Sequence, residues 1–172
     1  MEFRDKIREI QDFPETGVKF KDITTLLKEG EAFHAAITQL AQPFRNQGID
    51  LVIGPEARGF VVGAPVAYAL GVGFVPVRKS GKLPAETLSY RYTLEYGENM
   101  LEVHKDAVRP GQKVLIADDL LATGGTTRAV VKMVEQLGGE IVGLAFLIEL
   151  LYLNGRQLIE EHNIVSLIQY KS

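Results

Sequence analysis

Residues 114–127 read VLIADDLLATGGTT, and this stretch decides the fold. Val114 to Ala117 are apolar without interruption, as a strand reads when helices cover both faces of its sheet. Two adjacent acids, Asp118 and Asp119, stand at its carboxyl end. Ala122, Thr123, Gly124, Gly125 and Thr126 then form a loop of small residues that opens a helix. In that helix, Thr126 to Leu137, Val130, Val134 and Leu137 share one stripe, and Gly138-Gly139 supplies the stop. Strand, loop and helix in this order make one βα unit, and open sheets of such units bind ligands outside the carboxyl ends of their strands. Small residues let backbone N–H groups close around a phosphate, and the helix N-terminus adds favourable partial charge. The loop has no Lys, so it is not the Gly-Lys-Ser/Thr loop of nucleoside triphosphate binders. It suits a monophosphate, with the two acids placed to accept hydrogen bonds from sugar hydroxyls. On residue types alone the alternative is an ordinary turn, in which Thr123 or Thr126 caps the helix and the acids are solvated.

The same alternation continues on both sides. Leu51-Val52-Ile53, Gly73 to Val77, Ile141 to Ile148 and Ile164 to Ile168 are further short apolar runs. Phe33, Ile37, Leu40 and Phe44 recur at helical spacing and predict a helix over roughly residues 31–46. Residues 59–70 read as a helix buried on much of its surface. The expected fold is α/β, a single domain over 1–172 with a mostly parallel core sheet and helices on both faces. Two segments break the pattern. Met1 to Gly30 predicts a short amphipathic helix followed by a turn-rich stretch around Pro14 and Gly17. Residues 78–103 predict a mobile loop running into a hairpin: Thr87, Ser89 and Arg91 alternate with Leu88, Tyr90 and Tyr92, and Glu95-Tyr96-Gly97 forms the turn. Long insertions at a strand end are where lids and binding loops sit.

Composition narrows the function classes. The 172 residues carry 19 Lys and Arg against 22 Asp and Glu, a formal charge of −3, which argues against a general nucleic-acid or membrane-surface binder. There is no cysteine, which excludes disulfides, thiolate catalysis and sulfur-ligated zinc and fits a reducing cytosol. The three histidines, His34, His104 and His162, have no ligand spacing, so a protein-held metal site is not expected. No apolar run approaches the roughly 18–20 residues of a membrane span, and the charged Met1 to Lys6 is not a signal peptide. A soluble, intracellular protein is the expectation.

Three further clusters lie near the same sheet edge. Gly54-Pro55-Glu56-Ala57-Arg58-Gly59 is a second strand-to-helix turn, presenting an Arg able to bond two phosphate oxygens at once; the alternative is that Arg58 pairs with Glu56 or stays solvated. From Arg78 to Arg91, Arg78, Lys79, Lys82 and Arg91 face Glu86 alone, either as a phosphate-meeting loop or as a solvated face. Phe20 stands between Lys19 and Lys21 after a Gly turn, either as a ligand contact or as a local core residue. Glu95 as a bare acid in a turn reads as solvated, and nothing in the residues assigns Glu149 a role.

Asp118-Asp119 followed by the Thr-Gly-rich loop resembles the diphosphoribosyl-binding motif of the type I phosphoribosyltransferases, and in the detail DDLLATGGT it is most similar to the adenine-using members. The similarity extends from about Asp12 to Tyr170. The resemblance implies the type I phosphoribosyltransferase fold, with an N-terminal hood (1–30) and a flexible lid (78–103). The implied activity is transfer of a 5-phosphoribosyl group from phosphoribosyl diphosphate to adenine in purine salvage, with Mg²⁺, in a cytoplasmic homodimer without nucleic-acid or membrane partners. It implies that Asp118 and Asp119 hold the ribose 2- and 3-hydroxyls and that Ala122, Thr123, Gly124, Gly125 and Thr126 cradle the 5-phosphate. Ala57, Arg58, Arg78, Lys79 and Lys82 would meet the diphosphate. Lys19, Phe20, Lys21 and Leu120 would meet adenine. Glu95, with Arg58, would act at the reacting centre, and Tyr96 would seal the lid. Mg²⁺ would be held mainly by substrate and water, with no protein metal site. Relatives commonly have Pro where Ser80 stands and Arg where Lys21 stands. A 6-oxopurine phosphoribosyltransferase is the alternative within enzymes, but that group places an Asp where this chain has Ala122. A nucleotide-sensing regulator on the same fold would need a basic face or a DNA-binding segment, and neither is seen.

Overall fold

A computed structural model describes residues 1–94 and 97–172. The chain forms β1 (Arg8–Gln11), β2 (Lys19–Asp22), α1 (Thr24–Leu27), α2 (Gly30–Ala41), β3 (Leu51–Pro55), α3 (Arg58–Leu70), β4 (Gly73–Lys79), β5 (Thr87–Leu94), β6 (Gly97–His104), β7 (Lys113–Leu121), α4 (Gly125–Gln136), β8 (Glu140–Leu150) and β9 (Ile164–Tyr170). Seven strands make the main sheet in the order β5-β6-β4-β3-β7-β8-β9. The β4-β3-β7-β8-β9 portion is parallel, and the β5–β6 hairpin adds an antiparallel edge beside β4.

Alternation along the central strands sorts the core into two layers, because successive side chains of a strand leave opposite faces. Val52, Leu115, Ala117, Ala145 and Leu147 pack with α2 and α3, through Ala36, Leu40, Val62 and Val66. Ile53, Val114, Ile116, Leu144 and Phe146 pack with α4, through Val130, Met133 and Val134. Both faces are therefore covered. Order also matters: β4–β3–β7 reverses the direction of winding, which opens a crevice at the carboxyl ends of β3 and β7.

The N-terminal segment differs from the expected amphipathic helix. Before β1 only Phe3–Lys6 is helical, as a single 3₁₀ turn; the chain then enters the β1–β2 hairpin, and the short helix α1 follows it. Its register sets Arg8 opposite Asp22, Glu9 opposite Lys21 and Ile10 opposite Phe20, so opposite charges and apolar groups pair directly across strands. This complementarity exists only after the chain reverses between Asp12 and Gly17, where the Gly17 N–H donates to Asp12 Oδ1 at 2.7 Å.

Asp22 anchors this hairpin. Its carboxylate accepts from the Thr24 hydroxyl at 2.7 Å, the Thr24 N–H at 2.9 Å and Arg8 Nε at 2.9 Å. Those bonds, the Thr24 hydroxyl foremost, hold its pKa down to about 2. The folded pKa lies below the ordinary value, so the stabilisation is complete above about pH 4 and is lost as pH falls toward 2. We expect Asp22→Ala to cost about 2 kcal/mol at neutral pH. In urea unfolding, the difference from wild type should narrow steadily between pH 5 and pH 2.5; a pH-independent difference would remove the carboxylate from the explanation.

Candidate functional site

β7 is longer than the apolar run suggests and ends at Leu121, so Asp118 and Asp119 lie within the strand rather than in the loop after it. Their consecutive positions send the two carboxyl groups different ways. Asp118 turns its carboxyl back to accept its neighbour's N–H, from Asp119 N to Asp118 Oδ1 at 2.8 Å. Asp119 is buried and ion-paired to Arg58, with Arg58 Nε 3.0 Å from Asp119 Oδ2. Desolvation and the adjacent Asp119 charge push the Asp118 carboxyl well above the usual carboxylate range, against the pull of Arg58. A Cβ at Gly59 would stand 2.8 Å from Asp118 Oδ1, so a residue without a side chain is needed where α3 passes the acid.

Past Leu121 the chain enters the small-residue loop, and Gly124 at φ +88° begins α4. No side chain caps this helix, so neither Thr123 nor Thr126 serves as the simple cap of an ordinary turn. The loop, both acids, Ala57 and Arg58 line one cavity of about 330 Å³. The cavity therefore gathers the backbone of the small-residue loop, the Arg58 guanidinium and two carboxyl groups. That arrangement can hold a phosphorylated sugar: donors for the phosphate, acceptors for hydroxyls.

Leu120 and Ala122 also line a second cavity of about 530 Å³, together with Gly17, Lys19, Phe20 and Lys21 of the hairpin, Leu150 at the end of β8, and Tyr152 and Leu153 beyond it. The walls are mainly apolar. Phe20 stands edge-to-face against Phe13 with ring centroids 5.1 Å apart, and the Arg58 guanidinium lies 5.2 Å from the Phe20 centroid. Arg58 thus lines the first cavity and packs on an aromatic wall residue of the second. Lys21 lines the second cavity without presenting its charge there: its side chain is 2% exposed, ion-paired to Glu9, and its ammonium sits 4.1 Å from the Tyr170 ring centroid.

The cationic loop after β4 stands beside rather than inside the first cavity. Arg78 Nε is 3.3 Å from Glu56 Oε1, and the same oxygen accepts from the Lys79 N–H at 2.7 Å. Glu56, a wall residue of the cavity, therefore holds the root of this loop. Lys79 and Lys82 are exposed. Glu102 on β6 holds the next turn, accepting from the Gly81 N–H at 2.7 Å and from the Thr87 hydroxyl; bonds from Thr87, Ser80 and Gly81 keep its pKa low. Glu95 and Tyr96 lie outside the described residues.

Glu149 has a definite environment that the sequence did not suggest. It is 2% exposed and accepts from Arg156 Nε at 2.8 Å, Arg156 Nη2 at 2.6 Å, Ser166 Oγ at 2.6 Å and Gln169 Nε2 at 3.2 Å. Burial alone would raise its pKa, but the Arg156 and Ser166 bonds outweigh burial and leave it lowered. The pair closes the turn at Asn154-Gly155, which packs against the loop of residues 122–126. A Cβ on Gly155 would stand 2.3 Å from the Ala122 carbonyl oxygen, and one on Gly124 would stand 2.5 Å from the Gly155 oxygen. Glu56, Glu102 and Glu149 share one signal: an acid within or beside an apolar strand, which needs partners if it is to be buried.

Among the described residues, no group of three His, Cys, Asp or Glu could hold a metal ion, and no helix is long and apolar enough to cross a membrane.

Comparison with known proteins agrees with this geometry. A family model described as phosphoribosyl transferase domain matches residues 24–168. An adenine phosphoribosyltransferase of Alkaliphilus oremlandii is 59% identical over 171 residues, covering 99% of each chain. The crystal structure of adenine phosphoribosyltransferase from Thermoanaerobacter pseudethanolicus superposes with a TM-score of 0.95 at 58% identity, covering 98% of each chain. That of Saccharomyces cerevisiae, complexed with D-2,5-dideoxy-2,5-imino-altritol 1,6-bisphosphate and adenine, superposes with a TM-score of 0.89 at 37% identity over 96% of each chain.

Proposed function

The chain belongs to the phosphoribosyl transferase domain family, and on that premise we propose that it transfers the 5-phosphoribosyl group of phosphoribosyl diphosphate to adenine, giving AMP and diphosphate. It is a pentosyltransferase enzyme with the type I phosphoribosyltransferase fold. One observation supports the choice of substrates: a polar cavity, fit for a phosphorylated sugar, shares Leu120 and Ala122 with an adjacent apolar cavity that has an aromatic wall. Ala122 puts no acid beside the base, which favours adenine over a 6-oxopurine.

In this proposal the whole chain, 1–172, acts as one domain. Backbone N–H groups and hydroxyls of residues 122–126 bind the 5-phosphate, aided by the α4 N-terminus. Asp118 and Asp119 accept from the ribose hydroxyls. Arg58 moves its charge from Asp119 toward the diphosphate, joined by Arg78, Lys79, Lys82 and the backbone at Ala57. Adenine lies on Phe20 with Leu120 opposite, and Lys19 and Lys21 contribute to the edge of the pocket. Glu95 handles the adenine proton or orients the base, and Tyr96 seals the lid. The reaction breaks the anomeric C–O bond to diphosphate and forms the C–N bond to adenine through an oxocarbenium-like transition state, so positioning and charge matter more than a covalent nucleophile.

Two adjacent carboxyls without a third fit Mg²⁺ bound mainly by substrate oxygens and water, within reach of Asp118 and Asp119. When bound, the ion neutralises charge on the leaving diphosphate. We further propose a cytoplasmic homodimer. Tyr68, 90% exposed beside a groove of Phe33, Ile37 and Pro65, supports such self-association.

The test is AMP formation from phosphoribosyl diphosphate and Mg²⁺ with adenine, hypoxanthine or guanine. Adenine should be preferred in kcat/KM by at least about 10³-fold, since an unmatched polar edge in a buried pocket is heavily penalised. Equal use of hypoxanthine would overturn the assignment.

A further inference from the structure

Tyr92 lies on β5, in the β5–β6 hairpin, and pairs with Asn99 of β6. Its ring is half-buried in the α4-side layer and covers Gly125, where a Cβ would meet two ring carbons at 3.8 and 3.9 Å. Its hydroxyl is 3.1 Å from Thr126 Oγ1. Thr126 lines the phosphate cavity and does not cap its helix. A threonine hydroxyl has one proton to donate and two lone pairs to accept with. If Thr126 donates to a phosphate oxygen, its own oxygen remains free to accept, and the phenol, the more acidic of the two hydroxyls, is the natural donor.

We propose that Tyr92 is a positioning residue for the 5-phosphate: its hydroxyl donates to Thr126 Oγ1 and thereby aims the Thr126 proton at the phosphate. The proposal rests on the phosphate-loop reading above. It differs from direct contact with substrate, because Tyr92 acts only through Thr126. It also joins the hairpin to the phosphate loop by a bond that holds when the Thr126 hydroxyl faces the ligand.

Tyr92→Phe keeps the ring and removes only the hydroxyl. We expect the KM for phosphoribosyl diphosphate to rise about tenfold, with kcat and the KM for adenine changing less than twofold. The dissociation constant of ribose 5-phosphate, measured by calorimetry, should rise by the same factor, with the melting temperature unchanged. Thr126→Val should weaken ribose 5-phosphate at least as much, and Tyr92→Phe added to it should have no further effect. Ribose 5-phosphate binding within twofold of wild type in Tyr92→Phe, or additive losses in the double variant, would overturn the proposal. Failure of the wild type to form AMP would sink the adenine assignment alone, since ribose 5-phosphate binding still decides the role of Tyr92. A wild type that does not bind ribose 5-phosphate would overturn both.

Discussion

Asp119→Asn should lower kcat/KM for phosphoribosyl diphosphate by about 10²-fold, ~3 kcal/mol at 1.4 kcal/mol per factor of ten. Asp119 is buried, and the substitution removes a charged acceptor from the proposed ribose site while leaving Arg58 without its partner 3.0 Å away. The change is nearly isosteric, so the melting temperature should move little. A second effect distinguishes charge from shape. The Asp118 pKa is raised by desolvation and then by the Asp119 charge, so Asn at 119 should let the Asp118 carboxyl ionise at lower pH. The acidic limb of the kcat/KM profile should shift downward accordingly. Kinetics within threefold of wild type would remove Asp119 from the substrate site.

Gly155→Ala is expected to be the most damaging substitution outside the substrate cavity. The new Cβ would stand 2.3 Å from the Ala122 oxygen and 2.9 Å from Gly124 N. Both are backbone atoms, so no rotamer change relieves the clash. Overpacking of this kind costs about 1–3 kcal/mol, which for a chain of this size lowers the melting temperature by roughly 2–12 °C. Because the atoms displaced belong to the loop proposed to bind the 5-phosphate, the KM for phosphoribosyl diphosphate should also rise at least about tenfold. Gly71→Ala is the control. Gly71 also has a positive φ, +70°, but open space around its Cα, and it lies where α3 turns into β4 at the far edge of the sheet. It should lose about 1 kcal/mol from backbone strain with kinetics unchanged. A Gly155 variant that is only less stable, with normal KM, would show that the turn does not support the loop.

The parts of the fold legible in the sequence are those decided locally. Each central strand is an apolar run because it is covered on both faces, and α4 is legible because Val130, Val134 and its Gly138-Gly139 stop lie within one short segment. The strand, loop and helix of residues 113–136 were legible for the same reason, since the acids and the small-residue loop are consecutive with them. The hidden features depend on distant partners. Arg8 to Gln11 becomes a strand only because Lys19 to Asp22 returns beside it. Arg58 was expected to face a diphosphate, pair with Glu56 or stay solvated; its partner is Asp119, which no spacing rule connects to it. Lys21 follows Phe20 and reads as a base contact, yet Tyr170 and Glu9 take its charge. Glu149 needed donors from Arg156, Ser166 and Gln169 before its burial made sense.

The parallel sheet also divides the molecule by tolerance to change. The main-sheet loops that line the two cavities leave their strands at the carboxyl ends, after β3, β7 and β8, and the loop after β4 stands beside them. The connections into β4, β7, β8 and β9, at residues 71–72, 105–112, 137–139 and 160–163, all emerge at the opposite edge. Extra residues at that edge lengthen an exposed turn and perturb closure entropy only slowly. The same insertion after β7 would separate the acids from the loop that follows them. Tags, linkers and inserted domains therefore belong at the amino edge, where the scaffold can be extended while the substrate-facing edge keeps its spacing.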